Sequence, residues 1–144
     1  MSTQTYANHR RFVPMFHMVL SGIIVLTLIG SVVNLIESLG DHERLYSASL
    51  LVAVSVALAF LFIFTRVFPL VAQDRAIRAE ENLRHFTITG KLLDSRLGTK
   101  QVVALRFAAD AEFAALARRA AEEGLTPDAI KRAIKEWRAD TYRA

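Results

Sequence analysis

Leu45–Thr65 reads LYSASLLVAVSVALAFLFIFT, 21 residues without an Asp, Glu, Lys, Arg or His. At about 1.5 Å rise per residue a helix of this length is roughly 30 Å long, the thickness of a bilayer's hydrocarbon core. A helix apolar on every side has no face to turn toward water. In a chain of 144 residues the stretch therefore reads as a transmembrane helix.

Working back toward the N-terminus, Ser38–Arg44 (SLGDHER) is a short polar connection with Gly40 and Asp41 as turn formers. Before it, Phe12–Ile36 runs 25 residues without Asp, Glu, Lys or Arg, and Pro14 suits the first turn of a helix. A cleaved signal peptide is the competing reading. The apolar run exceeds the usual core of about 7–15 residues, and no small-x-small site closes it. Two spans joined by a tight loop make a hairpin. Arg10 and Arg11 precede it, Arg66, Arg75, Arg78 and Arg84 follow it, and the loop region is acidic through Glu37, Asp41 and Glu43 against Arg44. Basic flanks stay in the cytoplasm, so both termini are expected there and the loop outside. Small residues allow helices to approach closely in lipid. Gly22, Gly30 and Asn34 in the first span, and Ser49, Ala53 and Ala57 in the second, are the expected helix-packing positions. That packing is within the hairpin or against another subunit, unless the stripes reflect only how common small residues are in spans.

Working forward, Arg66 marks the cytoplasmic end and can reach headgroups. Pro69 cannot donate to the Thr65 carbonyl, so a kink is expected there. Leu70–Phe86 is polar but helix-friendly, with Asp74/Arg78, Glu80/Arg84 and Glu81/His85 at i, i+4 spacing. Thr87–Gly98 reads as a break. Thr99 is a cap candidate for a helix through about Phe107, although alternating Val103, Leu105 and Phe107 also fit a strand. Asp110 is an N-cap candidate for a helix with a Phe113/Leu116/Ala117/Ala120 face that ends at Gly124. Thr126-Pro127-Asp128 is a cap, a Pro at the first helical position and an acid in the first turn; Ile130, Ala133, Ile134 and Trp137 would face inward behind it.

The resulting partition is 1–13 cytoplasmic segment, 14–37 first span, 38–44 external loop, 45–68 second span, 69–98 exit helix and linker, and 99–144 helical module. The fold class is an all-α membrane protein: a two-helix transmembrane hairpin, a kinked exit helix and a small cytoplasmic bundle of three short helices. From Arg66 onward the chain has 15 basic and 11 acidic residues. The absence of cysteine removes disulfides and thiolate chemistry. Arginine outnumbers lysine, which suits a GC-rich bacterium and hence a bacterial inner membrane.

No HExxH, GxSxG, phosphate loop or carboxylate cluster is present, so no catalytic or metal site and no cofactor are expected. His17 is the one candidate axial ligand for a haem or pigment. Asn34 is the one strongly polar group deep in a span, without an ionisable partner at mid-span. The basic residues near the C-terminus are interleaved with acids, which argues for a solvated face or docking on lipid or protein rather than on nucleic acid.

Asn8-His9-Arg10-Arg11 with Pro14 and His17, then Lys100–Phe107 (KQVVALRF) with Asp110, Glu112 and Phe113, and finally Ile130-Lys131, Ile134-Lys135, Trp137-Arg138-Ala139-Asp140 and Tyr142-Arg143 together form a pattern. It resembles an uncharacterised family of small bacterial two-span membrane proteins with a cytoplasmic helical tail. The resemblance spans almost the whole chain and implies topology without an activity.

The functional expectation is a non-enzymatic integral membrane protein whose hairpin anchors an interaction module, as an accessory or assembly subunit of a larger membrane complex. Its partners would be the bilayer, acidic lipid headgroups and a membrane protein or further copies of itself. Arg66, Arg106, Phe107, Lys131, Lys135, Trp137 and Arg138 are the expected contact residues. The alternatives are an oligomeric transporter or channel component, and a haem- or pigment-binding subunit using His17.

Overall fold

Pro14 lies at the entry of a π-helical turn, Met15–Leu20, that runs directly into helix α1, Ser21–Glu37. Ser21 Oγ donates to the His17 carbonyl at 2.6 Å, satisfying an acceptor in the wide turn. This computed structural model describes residues 5–7 and 12–140. Asn8, His9, Arg10 and Arg11 of the basic N-terminal cluster, and Tyr142 and Arg143, lie outside the described residues. The described residues are all-helical: α2 is His42–Thr89, α3 Thr99–Leu105, α4 Asp110–Glu123 and α5 Pro127–Ala133, with no strand among them. Met15–Glu37 and His42–Thr89 are long and apolar enough to cross a membrane.

The chain divides into two compact units, Arg11–Phe68 and Pro69–Ala144 with Met1–Arg10. In the first, α1 closes at Ser38, whose hydroxyl donates to the Asn34 carbonyl at 2.7 Å. Gly40 turns the chain at φ +103°, and Asp41 Oδ1 accepts the N–H groups of Glu43 and Arg44 at 3.2 and 3.3 Å, starting α2. Buried and half-buried positions then recur at alternating steps of three and four: Ile24, Leu28, Ser31, Leu35 and Ser38 on α1, and Leu45, Ala48, Val52, Ser55, Ala59 and Phe62 on α2. That alternation is the seam of paired helices. Phe16 stacks on Phe62 with ring centroids 4.4 Å apart, fastening one end. Ser31 and Ser55 bond to carbonyls of their own helices, so small hydroxyls sit in the seam without unpaired donors.

The small-residue stripes lie elsewhere. Gly30, Asn34, Ser49, Ala53 and Ala57 are exposed on the outside of the hairpin, and Gly22 is half-buried. A strict four-residue step advances about 40° around the helix each time. Such a stripe therefore winds off the 3–4 seam within two steps. The close-packed small residues are Ser31, Ala48 and Ser55 instead.

In the second unit α2 continues through Pro69 as far as Thr89, three residues beyond the expected end at Phe86. Thr87 and Thr89 bond back to the carbonyls of Arg84 and His85, both at 2.8 Å, and Gly90 stops the helix in a left-handed conformation at φ +71°. The stretch Gln101–Phe107 resolves as helix up to Leu105. Gly98, not Thr99, is its N-cap, with Gln101 Oε1 accepting the Gly98 N–H at 2.7 Å. Ala109 rather than Asp110 caps α4, and Gly124 closes it at φ +62°. Thr126 Oγ1 accepts the Ala129 N–H at 3.2 Å, as its Thr-Pro-Asp signature predicts.

The last helix does not reach Trp137. It ends at Ala133, and Ile134 is extended. The Glu112 carboxylate accepts the N–H groups of Lys135 at 3.2 Å and Glu136 at 3.0 Å, drawing the chain away from a helical path. Residues 136–138 then run antiparallel beside 107–109, with Ala109 N–H to Glu136 O at 3.1 Å and Arg138 N–H to Phe107 O at 2.7 Å. Leu97, Val102, Leu105, Phe107, Phe113 and Ile130 are the largest fully buried side chains of the core that these elements enclose.

Candidate interaction surface

Three short helices enclose little apolar surface, so the unit adds polar ties to its core. Arg84 on α2 is the densest of these. Its guanidinium pairs with Glu81 at 2.9 Å, reaches Asp110 through Nε at 2.7 Å, donates to the Ala108 carbonyl at 2.7 Å and lies 4.2 Å above the Phe113 ring. The Arg84 and Glu81 side chains are only 11 % and 8 % exposed. The expected i, i+4 ladder yields to these longer ties: Asp74 pairs with Lys100 at 2.6 Å, and Arg78 donates to Thr99 Oγ1 at 3.1 Å. In each case a partner on α3 or α4 competes with a solvated neighbour on the same helix, where a surface pair contributes only a few tenths of a kcal/mol.

Beside this hub lies a cleft of about 310 Å³ between α2 and the C-terminal segment, with Glu80 and Glu81 on one wall and Arg106, Arg138 and Asp140 on the other. Arg106 Nε is 2.8 Å from Asp140 Oδ2, and its guanidinium lies 4.5 Å over the Phe107 ring. The Trp137 ring lies tilted against the same ring, with centroids 5.1 Å apart. The cleft therefore offers both signs of charge in fixed positions. Such a lining suits a polar contact with a protein or a headgroup.

The expected contact residues separate into two kinds. Phe107 is 1 % exposed and belongs to the core, so it is not a contact residue. Arg106 is largely buried and Trp137 half-buried around it. Lys135 and Arg138 are exposed, while Lys131 is half-buried with its Nζ 6.0 Å from the Phe107 centroid. Arg66 is half-buried in the first unit, away from this set in sequence. One contact was not signalled by the sequence. Tyr6 donates its hydroxyl to Asp128 Oδ1 at 2.6 Å and accepts from Arg132 at 3.3 Å, tying the N-terminal segment to α5. The Tyr6 hydrogen bond, then Arg132 and Lys131, hold the Asp128 carboxyl below its ordinary pKa. The separation of 122 residues hides this contact from any local pattern.

His17 Nδ1 lies 2.9 Å from the Val13 carbonyl and 3.2 Å from the Val13 N–H. Its ring stacks on Phe12 at 4.8 Å and meets Phe16 edge-on at 5.2 Å. The imidazole thus closes the helix entry on its own segment. Among the described residues no three His, Cys, Asp or Glu side chains converge as metal ligands would.

The chain belongs to a family described as Family of unknown function (DUF6526), which matches it over residues 1–144. No curated protein and no solved structure matches the chain.

Proposed function

We propose that the protein is a non-enzymatic integral protein of a bacterial inner membrane, in which the hairpin anchors a cytoplasmic helical module serving as an accessory or assembly subunit of a larger membrane complex. The outer surface of the hairpin carries this reading. Leu26 is 71 % exposed, Phe60 56 % and Leu61 58 %, with Ile23, Ile29, Leu51 and Val54 similarly open, while the fully buried seam positions are Ser31, Ser38, Ala48 and Ser55. Each large apolar side chain left in water forgoes about 1.5–3 kcal/mol of burial. Lipid tails or other membrane helices cover such a surface; water does not.

Tyr6 supports the topology. The Tyr6 hydrogen bond to Asp128 keeps the segment before the first span with α5, which is consistent with an even number of crossings between them. Arg66, Arg75 and Arg78 beyond the second span, against the acidic loop, favour the cytoplasm for the side that holds α5. Alkaline carbonate extraction of native membranes tests the reading. The protein stays in the membrane pellet; its release into the supernatant overturns the proposal.

A second reading, an oligomer that includes a transporter or channel element, is supported by the uncovered positions Gly30, Asn34, Ser49, Ala53 and Ala57. Small residues on an outer face let another hairpin approach closely. Under this reading Gly30→Leu reduces the mass of the particle in mild detergent, and an unchanged monomer counts against it.

A further inference from the structure

The part of α2 that lies in the second unit buries one side and leaves another open. Ile77 and Glu81 turn inward, at 7 % and 6 % exposure. Ala72, Ala76, Ala79, Leu83 and Phe86 are all exposed, Leu83 at 64 % and Phe86 at 49 %. They recur at steps of four, three, four and three, the spacing of a coiled-coil seam. The same spacing marks the face on which α1 and α2 pair within the hairpin, where a helix fills it. Single exposed leucines are ordinary on a protein surface; an apolar row of this period along one helix is the pattern of a helix that has a partner.

The flanks of the row narrow the occupant. Arg75 and Glu80 are exposed beside it and have no ion pair among the described residues. Glu80 has Arg84 at i, i+4, but Arg84 is held by Glu81, Asp110 and the Ala108 carbonyl. Arg75 has only Val71 and Ala79 at that distance. With Ala72, Ala79 and Phe86 at d and Ala76 and Leu83 at a, Arg75 is a g position and Glu80 the e position that follows it. In a parallel pair of helices each g faces the following e of the other strand, so a second copy brings Arg75 against Glu80 twice. An antiparallel pair would set Arg75 against Arg75 and Glu80 against Glu80. An acidic bilayer surface would attract Arg75 and repel Glu80. Two copies anchored in one bilayer in the same sense are parallel, so the charge pattern and the anchor ask for the same arrangement.

We propose that this row is the interface of a parallel, two-fold dimer of the protein, in which the α2 helices pair along Ala72–Phe86 and two Arg75–Glu80 pairs fix the register. Two heptads make a short seam. The alanines let the backbones approach closely, and confinement to one bilayer removes part of the orientational cost of association. Ala76 and Glu80 also border the cleft beside Arg106, so pairing covers that wall of it. The dimer rests on the reading of the hairpin as a membrane anchor, and it uses a face separate from the small residues outside the hairpin.

The test is oxidative thiol crosslinking of the full chain in native membranes, free of background because the chain has no cysteine. Ala72→Cys and Ala79→Cys, at d positions, each give a disulfide-linked dimer, and Ile88→Cys, exposed at an f position away from the seam, does not. In the Ala79→Cys chain, Arg75→Glu lowers the dimer yield at least about fivefold, and adding Glu80→Arg restores it, because the exchanged charges attract again. Crosslinking at 88 as efficient as at 79, no dimer at 72 and 79, or a yield that ignores the charge exchange overturns the proposal. Carbonate extraction of the same membranes separates the two readings. Protein kept in the pellet without a dimer overturns the dimer alone; protein released into the supernatant overturns the anchor and, with it, the parallel arrangement.

Discussion

Arg84→Ala is the most informative single perturbation of the helical unit. The substitution removes the partner of Glu81, whose side chain is 8 % exposed, and leaves that carboxylate in the unit's interior. It also orphans the Ala108 carbonyl and removes the cation above Phe113. Breaking a buried pair by deleting one member costs about 3–5 kcal/mol, and a cation–π contact contributes about 0.5–2 kcal/mol. These terms share one side chain and do not add, so about 3–5 kcal/mol is the expected loss. At about 0.05–0.15 kcal/mol per residue, a unit of this size holds about 4–11 kcal/mol in all. The variant should therefore sit near the edge of unfolding. Amide hydrogen exchange on the full chain in lipid nanodiscs measures it: protection in α3, α4 and α5 falls by about two to four orders of magnitude, while α1 is unaffected. The double variant Glu81→Leu/Arg84→Met recovers most of the loss, because a buried pair replaced by apolar groups is often neutral. A fall of less than about threefold for Arg84→Ala, about 0.6 kcal/mol, would refute the role given to this hub.

Tyr6→Phe removes the largest influence holding the Asp128 carboxyl down, so its titration should move up toward the ordinary carboxylate range, as read by carboxyl-carbon NMR. The sign follows from linkage: a carboxyl with a lowered folded pKa contributes stability above its unfolded pKa and loses it as the pH falls through the folded value. The N-terminal tie should accordingly loosen only in acid, and in the variant this acid dependence should shrink. Gly124→Ala should cost about 1–2 kcal/mol on the same exchange measurement, since a Cβ there meets no atom within 4 Å and the whole penalty comes from the left-handed backbone at φ +62°. Gly30→Ala, helical and equally open, should be neutral or slightly stabilising, as alanine is the better helix former.

Features written in a few adjacent residues were readable from the sequence. Thr126-Pro127-Asp128 starts α5, Gly124 ends α4, and two uncharged runs give two long helices, because each depends on backbone chemistry or solvation within one or two turns. Features decided by distant partners were not. Trp137 continues the apolar spacing of α5, yet Glu112, 23 residues before Lys135, takes the N–H groups that a longer helix would have used. Asp110 reads as a cap and instead serves Arg84, 26 residues away. The seam within the hairpin runs beside the small-residue stripe: Ala53 and Ala57 recur at a strict four-residue step and stay exposed, whereas pairing follows alternating steps of three and four and buries Ala48 and Ser55. Phe107 and Trp137 stand among basic residues in the sequence, yet the core buries the first and half-buries the second.

Because the chain contains no cysteine, a single introduced thiol reports its own position without background. Leu39→Cys lies in the loop between α1 and α2, and Glu122→Cys lies on exposed α4 surface in the helical unit. A membrane-impermeant maleimide applied to intact spheroplasts is the most direct test of an anchoring hairpin with both ends inside. Leu39→Cys should label at once, and Glu122→Cys only after the membrane is opened. Labelling of Glu122→Cys in sealed cells, or of both thiols alike, would contradict the account.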